Sequence, residues 1–241
     1  MADFFHSFFA PLRALFGVTD RVERILSESF PAMLGYGVRV TLPLAAASFA
    51  LALLIAVIVA LIQYGKVPVL REICRFYIWI VRGTPVLVQL YLVFYGLPNV
   101  GVVLDAWLAA WLVLGFNEGA YMAETVRGAL ESVSVGQLEA GQCVGLNFPQ
   151  IMIHIMLPQA FRTAFPALGN SLIAMVKETS MAATITVTEM FRQAQLINAR
   201  VYESLWLYGE AALIYLMFCT VLTQLQRIGE KWLARKGGAV K

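Results

Sequence analysis

Between Val40 and Ile62 the chain runs about 23 residues without a charge, which at about 1.5 Å per residue is about 35 Å of helix, enough to cross the hydrocarbon core of a bilayer. Four further apolar stretches follow. Phe76 to Leu97 is apolar except for Arg82-Gly83-Thr84-Pro85 in its first half. Pro85 removes a helix hydrogen bond there and Gly83 loosens the turn, so a kinked or broken span is expected. The third stretch, about Val102 to Val126, contains Glu118 and Glu124. The fourth, about Ile151 through Thr188, holds Pro158, Pro166 and the adjacent Lys177 and Glu178; the fifth, about Leu205 to Leu225, holds Glu210. The pattern predicts an all-α, polytopic membrane helix bundle of about five transmembrane helices.

Ahead of these spans, Phe4, Phe5, Phe8, Phe9, Leu12, Leu15 and Phe16 recur at helical spacing, opposed by Asp3, His6, Ser7 and Arg13. That suits a helix lying in the membrane interface, and equally a first helix packed on the bundle. No basic n-region or small-residue cleavage pattern marks it as a signal peptide, so it is expected in the mature protein. No internal repeat or low-complexity linker is visible. The chain therefore reads as one transmembrane domain, 31–228, preceded by an amphipathic segment, 1–30, and followed by a basic tail, 229–241.

Composition agrees: 60% of the 241 residues are hydrophobic and 14% charged, about half the charged share of a soluble domain. Mean hydropathy is +0.73. With a net charge of only +3, and Lys and Arg near segment ends, nucleic acid is excluded as a partner and membrane lipid favoured. Cytoplasmic connections collect Lys and Arg. The first connection carries Lys66, Arg71 and Arg75, and the tail Arg227, Lys231, Arg235, Lys236 and Lys241, whereas the second connection offers only Asp105. This sets the N-terminus outside and the C-terminus in the cytoplasm. Cys74, Cys143 and Cys219 are dispersed, as are His6 and His154, so neither a metal site nor a redox pair is indicated.

Between the third and fourth spans lies an amphipathic stretch, Ser132 to Ile155, too polar to cross lipid and too apolar for a loose loop. It contains Glu139-Ala140-Gly141, then Gly145, Ile155 and Leu157-Pro158. Here the sequence resembles the binding-protein-dependent ABC importer permeases, whose signature is Glu-Ala-Ala, three residues, Gly, nine residues, Ile, one residue, Leu-Pro. The departure is Gly141 in place of Ala. The resemblance implies a type I importer permease fold in a bacterial inner membrane, with this stretch as a cytoplasmic coupling helix docking in a groove of an ATPase subunit. In that role Ala140, Gly141 and Gly145 would allow close approach of the partner, and Glu139 would anchor a basic group or the helix's own first turn.

Around the signature, Val81-Arg82-Gly83-Thr84-Pro85, Ala120 through Gly128, Gly136-Gln137 and Leu157-Pro158-Gln159-Ala160 look like the polar-amino-acid branch of these permeases, which imports glutamine, glutamate, arginine, histidine, cystine and related solutes. Lys177 through Ile185 and Glu189 through Ile197 are similar to permeases for L-cystine in particular. The resemblance also implies a second permease subunit, equal or different, a pair of ATPase subunits and a separate extracytoplasmic solute-binding protein. No Gly-x-x-x-x-Gly-Lys-Ser/Thr loop occurs, so ATP and Mg would be bound by the partner ATPase, leaving this chain without cofactor or catalytic residues.

Arg82, Glu118, Glu124, Lys177, Glu178 and Glu210 fall within or near spans. At about 2.5–3.5 kcal/mol each in hydrocarbon, they must face protein, water or the interface. A crossing amino acid needs an anion for its ammonium and a cation for its carboxylate. Arg82 or Lys177 suits the carboxylate, Glu124 or Glu178 the ammonium, with Thr84, Gln89 and Tyr121 as polar lining. Each also suits a structural role: Arg82 capping a kink, Lys177 and Glu178 as a local pair at a span end. An ATP-independent transporter or channel would equally explain intramembrane charge, and a membrane scaffold without transport is a second alternative, favoured if no solute stimulates ATPase activity. The transporter or channel gives no reason for the small-residue-rich segment between spans three and four.

Overall fold

A computed structural model describes residues 19–65 and 67–236, and every described element is helical. The expected N-terminal amphipathic helix therefore lies largely outside the described residues. The first described helix starts where Thr19 caps it, its side chain accepting from Val22 N at 3.4 Å, with Asp20 and Glu23 in the first turn complementing the helix dipole. It runs as α1 (Asp20–Tyr36), a wide π turn (Gly37–Thr41) and α2 (Leu42–Tyr64), a continuous rod of 45 residues. The first span is thus far longer than Val40 to Ile62, and the boundary at 30/31 falls inside it.

After a short connection, α3 (Pro68–Arg82) breaks at Gly83-Thr84-Pro85 into α4 (Val86–Tyr91), which continues through a π turn (Leu92–Gly96) and a 3-10 turn (Leu97–Val100). The two arms meet at 100°. The expected break is therefore present, although the helix starts at Pro68 rather than at Phe76. Asp105 caps α5 (Ala106–Glu131), its Oδ1 accepting from Trp107 N and Leu108 N, both at 3.0 Å. Then follow α6 (Val135–Cys143), the short α7 (Phe148–Ile151), a π turn (Met152–Met156), α8 (Leu157–Glu178) and a 3-10 segment (Thr179–Ile185). Last come α9 (Met190–Val201) and α10 (Ser204–Lys236). α9 was not foreseen as a separate element, and α10 carries on past Leu225 and across the expected tail boundary.

All three π turns have one cause. Each ends two residues before a proline, at Pro43, Pro98 and Pro158. A proline in a helix lacks the N–H and its ring presses on the carbonyl four residues back. Widening the turn moves that carbonyl aside at the cost of one extra residue in the turn.

Small residues set the packing. Gly115 and Gly119 form a groove on α5 for α2: a Cβ on Gly115 would stand 2.7 Å from Leu51 Cδ2, and one on Gly119 3.0 Å from Ile55 Cγ2. The facing side of α2 offers Ala45, Ala52, Ala56 and Ala60, all buried. Small residues on both helices, with Leu51 and Ile55 seated in the glycine groove, let them approach closely where lipid supplies no hydrophobic drive. α8 packs against α5 and α2, α3 lies along α5, and α1 sits beside α9 and α10.

By length and composition, the rods Asp20–Tyr64 and Ser204–Arg235 can cross a membrane, and the bent pair makes a third candidate. α5 and α8 have 26 and 22 residues, about 39 and 33 Å of helix. They are less apolar, carrying Asn117, Glu118 and Glu124 on one and Arg162, Asn170 and Lys177 on the other, and they occupy the middle of the bundle. Five membrane-length elements result.

Candidate functional site

The break after α3 frees carbonyls that lipid cannot satisfy. Thr84 Oγ1 donates to Ile80 O at 2.9 Å, and Gln89 Nε2 donates to Val81 O at 2.9 Å, to Thr84 O at 3.2 Å and to Thr84 Oγ1 at 2.8 Å. Asn117 on α5, buried, donates to Gln89 Oε1 at 3.1 Å. Thr84 and Gln89, expected as polar lining, are therefore engaged in bracing the break. Asn117 completes that brace and was missed; a buried Asn one residue before Glu118 in an apolar run was the available signal.

Arg82 ends α3 at this break, its guanidinium 5.0 Å from the centre of the Tyr121 ring, within cation–π range. Its charge also interacts with that of Glu124. Arg82, Tyr121 and Glu124 are thus brought together, as a seam between α3 and α5. Glu124 is not free: Arg127 Nη2 lies 2.7 Å from it, and Arg127 Nη1 lies 2.7 Å from Glu131. The i,i+3 and i,i+4 spacing made both pairs readable. Lys177 and Glu178 do not join this seam. Lys177 is exposed, and Glu178 faces the buried Glu118, on another side of α5.

A carboxylate outside the expected set is the most enclosed. Glu189, fully buried, accepts from Arg192 N at 2.7 Å, from Tyr215 OH at 2.9 Å and from Thr41 Oγ1 at 3.3 Å, while Thr41 Oγ1 accepts from Met190 N at 3.1 Å. It caps α9 and ties it to α10 and to the first π turn. Glu210, also buried, accepts from Ser29 Oγ, joining α10 to α1. Among the described residues no group of three or more His, Cys, Asp or Glu is placed to hold a metal ion. Cys74, Cys143 and Cys219 are free thiols.

The Ser132 to Ile155 stretch folds as a helical hairpin rather than one helix. α6 ends in a Schellman motif, with Gly145 N donating to Gln142 O at 2.9 Å and Leu146 N to Gly141 O at 3.1 Å. Gly145 sits at φ +81 with nothing within 4 Å of a Cβ. The left-handed backbone by itself calls for glycine there. Gly141 is buried, and its Cβ would meet Ile151 Cγ1 at 2.8 Å and Ile155 Cδ1 at 3.2 Å; the contact it permits is with this chain's own return helix. Glu139 and Ala140 are exposed, and no acidic residue lies in the first turn of α6, so Glu139 does not serve that turn. Asn147 and Gln150 form a reciprocal capping box at α7. Leu157 and Pro158 open α8 beyond the third π turn, and Gln159 Nε2 reaches Gln137 Oε1 on α6 at 3.4 Å.

This hairpin, set between two membrane-length helices and keeping the signature spacing, lies within residues 52–235, which match the family described as binding-protein-dependent transport system inner membrane component. The chain belongs to that family. The L-cystine transport system permease protein TcyB of Bacillus subtilis (strain 168) is 40% identical over 212 residues, covering 88% of this chain and 91% of the relative. The nopaline transport system permease protein NocM of Agrobacterium fabrum is 36% identical over 230 residues, covering 89% and 95%. Among solved structures, an amino acid ABC transporter crystallised with histidines superposes at TM-score 0.77 and 30% identity, over 84% of this chain and 94% of that one. The inward-facing MetNI methionine transporter superposes at TM-score 0.66 and 17% identity, over 90% and 99%, which shows the fold alone. The fold of this family member is that of a type I ABC importer permease, multi-pass and all-α.

Proposed function

We propose that this chain is the permease subunit of an ABC importer for an amino acid, with L-cystine the first candidate. It works beside a second permease subunit, over an ATPase pair that binds ATP and Mg, and receives solute from an extracytoplasmic binding protein. On this reading the chain itself hydrolyses nothing, its N-terminus is outside and its C-terminus cytoplasmic. The observation that carries it is the seam: Arg82, Tyr121 and Glu124 converge at a helix break and lead toward the end of the bundle where α6 lies exposed. Opposite charges on one face suit the two ends of a zwitterion, and an exposed hairpin at the same end suits an ATPase groove. Lys177 and Glu178, apart from the seam, fit a gating or structural duty better.

The preference for cystine rests on the Lys177–Ile197 stretch and on the 40% identical relative. The alternatives are glutamine, arginine, histidine or glutamate, and relatives named for nopaline and octopine transport broaden the range. An ATP-independent transporter is the less favoured alternative. The test is uptake of labelled L-cystine into vesicles carrying the whole importer, competed by unlabelled glutamine, arginine, histidine and glutamate. Stronger competition by one of these than by cystine refutes the solute and leaves the importer standing. Uptake that persists without the ATPase partner refutes the importer.

A further inference from the structure

The seam does not end at Glu131. It opens into a cleft of about 870 Å³ between the end of α2, the first turns of α3, the end of α5 and the α6–α7 hairpin. Arg71, Arg75 and Arg82, at i, i+4 and i+11, fall on one face of α3, a column about 16 Å long from the cleft to the break. Opposite them, Tyr121, Glu124, Arg127 and Glu131 share one side of α5. Arg127 is held by Glu124 and Glu131, each at 2.7 Å, and Arg75 by Glu72 at 2.8 Å. Arg71, which lines the cleft, has no ion pair among the described residues. On the same wall the Gln63 amide nitrogen is buried with no hydrogen-bond partner.

We infer that this cleft is a second, release-side site for the transported amino acid, in which Arg71 takes the α-carboxylate and Glu131 the ammonium. The inference rests on the amino-acid reading above. A guanidinium offers a planar fork matched to a carboxylate, and the half-exposed Glu131 side chain stands across the cleft from it. Having both signs in one cleft disfavours a bare anion, which would meet Glu124 and Glu131, and favours a zwitterion. A lipid headgroup fits poorly, because the exposed Val69, Ile73 and Phe76 that acyl chains would follow lie on the opposite face of α3 from Arg71 and Arg75. The cleft is roomy and open, so the solute stays partly hydrated there and binds weakly, as a site passed on the way out requires.

The test uses the complete importer in nanodiscs, without the binding protein, and equilibrium dialysis of labelled L-cystine, L-glutamine and L-arginine, with the methyl ester of each as a carboxyl-blocked probe. Two classes of solute binding are expected in the wild type. Arg71→Ala should weaken the lower-affinity class about tenfold or more, the loss of one charge-assisted contact, and leave the class abolished by Arg82→Ala. Arg71→Lys should recover part of it, and the esters should not occupy it. Binding unchanged by Arg71→Ala overturns the inference, as does a weak class that disappears when anionic lipid is omitted, which would assign the cleft to a headgroup. Loss of ATPase co-purification with both Arg71 variants overturns it too, marking a subunit contact. Import with binding sensitive only to Arg82→Ala defeats this site alone, whereas neither import nor binding of any of the three amino acids defeats the functional reading beneath it.

Discussion

Glu189→Ala tests whether the junction of the first π turn, α9 and α10 holds the bundle together. The carboxylate is fully buried and accepts from Arg192 N, Tyr215 OH and Thr41 Oγ1. Removing a charged acceptor while its donors stay buried costs about 1.5–3 kcal/mol per strong contact, and loss of a helix cap alone costs about 1 kcal/mol. Against this stands the desolvation of the carboxylate, which the substitution relieves. With two short contacts and one long one, the expected net loss is about 3 kcal/mol. The assay is denaturant unfolding of the detergent-solubilised chain followed by tryptophan fluorescence, for Glu189→Ala, Tyr215→Phe and the double variant. A coupling of about 1–2 kcal/mol is expected for groups in direct contact, and Glu189→Gln, which keeps an acceptor, should restore more than half of the loss. A loss under about 1 kcal/mol, or strict additivity with Tyr215→Phe, would show that the buried carboxylate is not a tie.

Gly115→Leu should abolish stable insertion, since Leu51 Cβ, which cannot swing away, would stand 3.1 Å from the new Cβ; normal membrane yield would contradict the groove. Gly145→Ala should cost about 1–2 kcal/mol of left-handed strain and reduce ATPase co-purification, whereas Gly141→Ala should be absorbed by a rotamer change of Ile151; the reverse order would return Gly145 to a contact role. Reporter fusions after Lys66 and Arg235 should read cytoplasmic and one after Asp105 external, and any opposite label refutes the orientation.

Much of the fold was legible because its signals are local. Pro85 and Gly83 mark the broken span, and the charge-free run before Ile62 marks the first. What stayed hidden depends on partners distant in sequence. α9 was overlooked because Arg192, Gln193, Asn198 and Arg200 make its tract look like a polar connection, yet Met190, Ala194, Ile197 and Val201 recur at helical spacing and pack inward. Pro43 and Pro158 were readable as disturbances, but Pro31 and Pro166 lie inside helices that do not widen, so a proline in the sequence does not by itself say where a wide turn forms. In the signature hairpin, glycines read as clearance for another subunit also serve a positive φ at Gly145 and an internal contact at Gly141. A one-letter pattern does not separate these uses of glycine.

The distribution of polarity explains why this chain is completed by others. α10 exposes Leu213, Leu216, Met217, Val221, Leu225 and Ile228, a surface that lipid satisfies. α5 turns Asn117 and Glu118 inward, where Asn117 meets Gln89 and Glu118 faces Ser171, whereas α8 leaves Arg162, Thr163, Asn170 and Lys177 exposed. The seam is open too, for Arg82 and Tyr121 are exposed and Glu124 is only half-buried. Three arginines on one face of α3 could not lie in hydrocarbon without costing about 2.5–3.5 kcal/mol apiece, so the open side of the seam must meet water or protein. A second permease subunit placed there, as the proposed importer requires, would enclose a hydrated path between two facing seams. The helices beside the break would then be free to move without exposing charge to lipid.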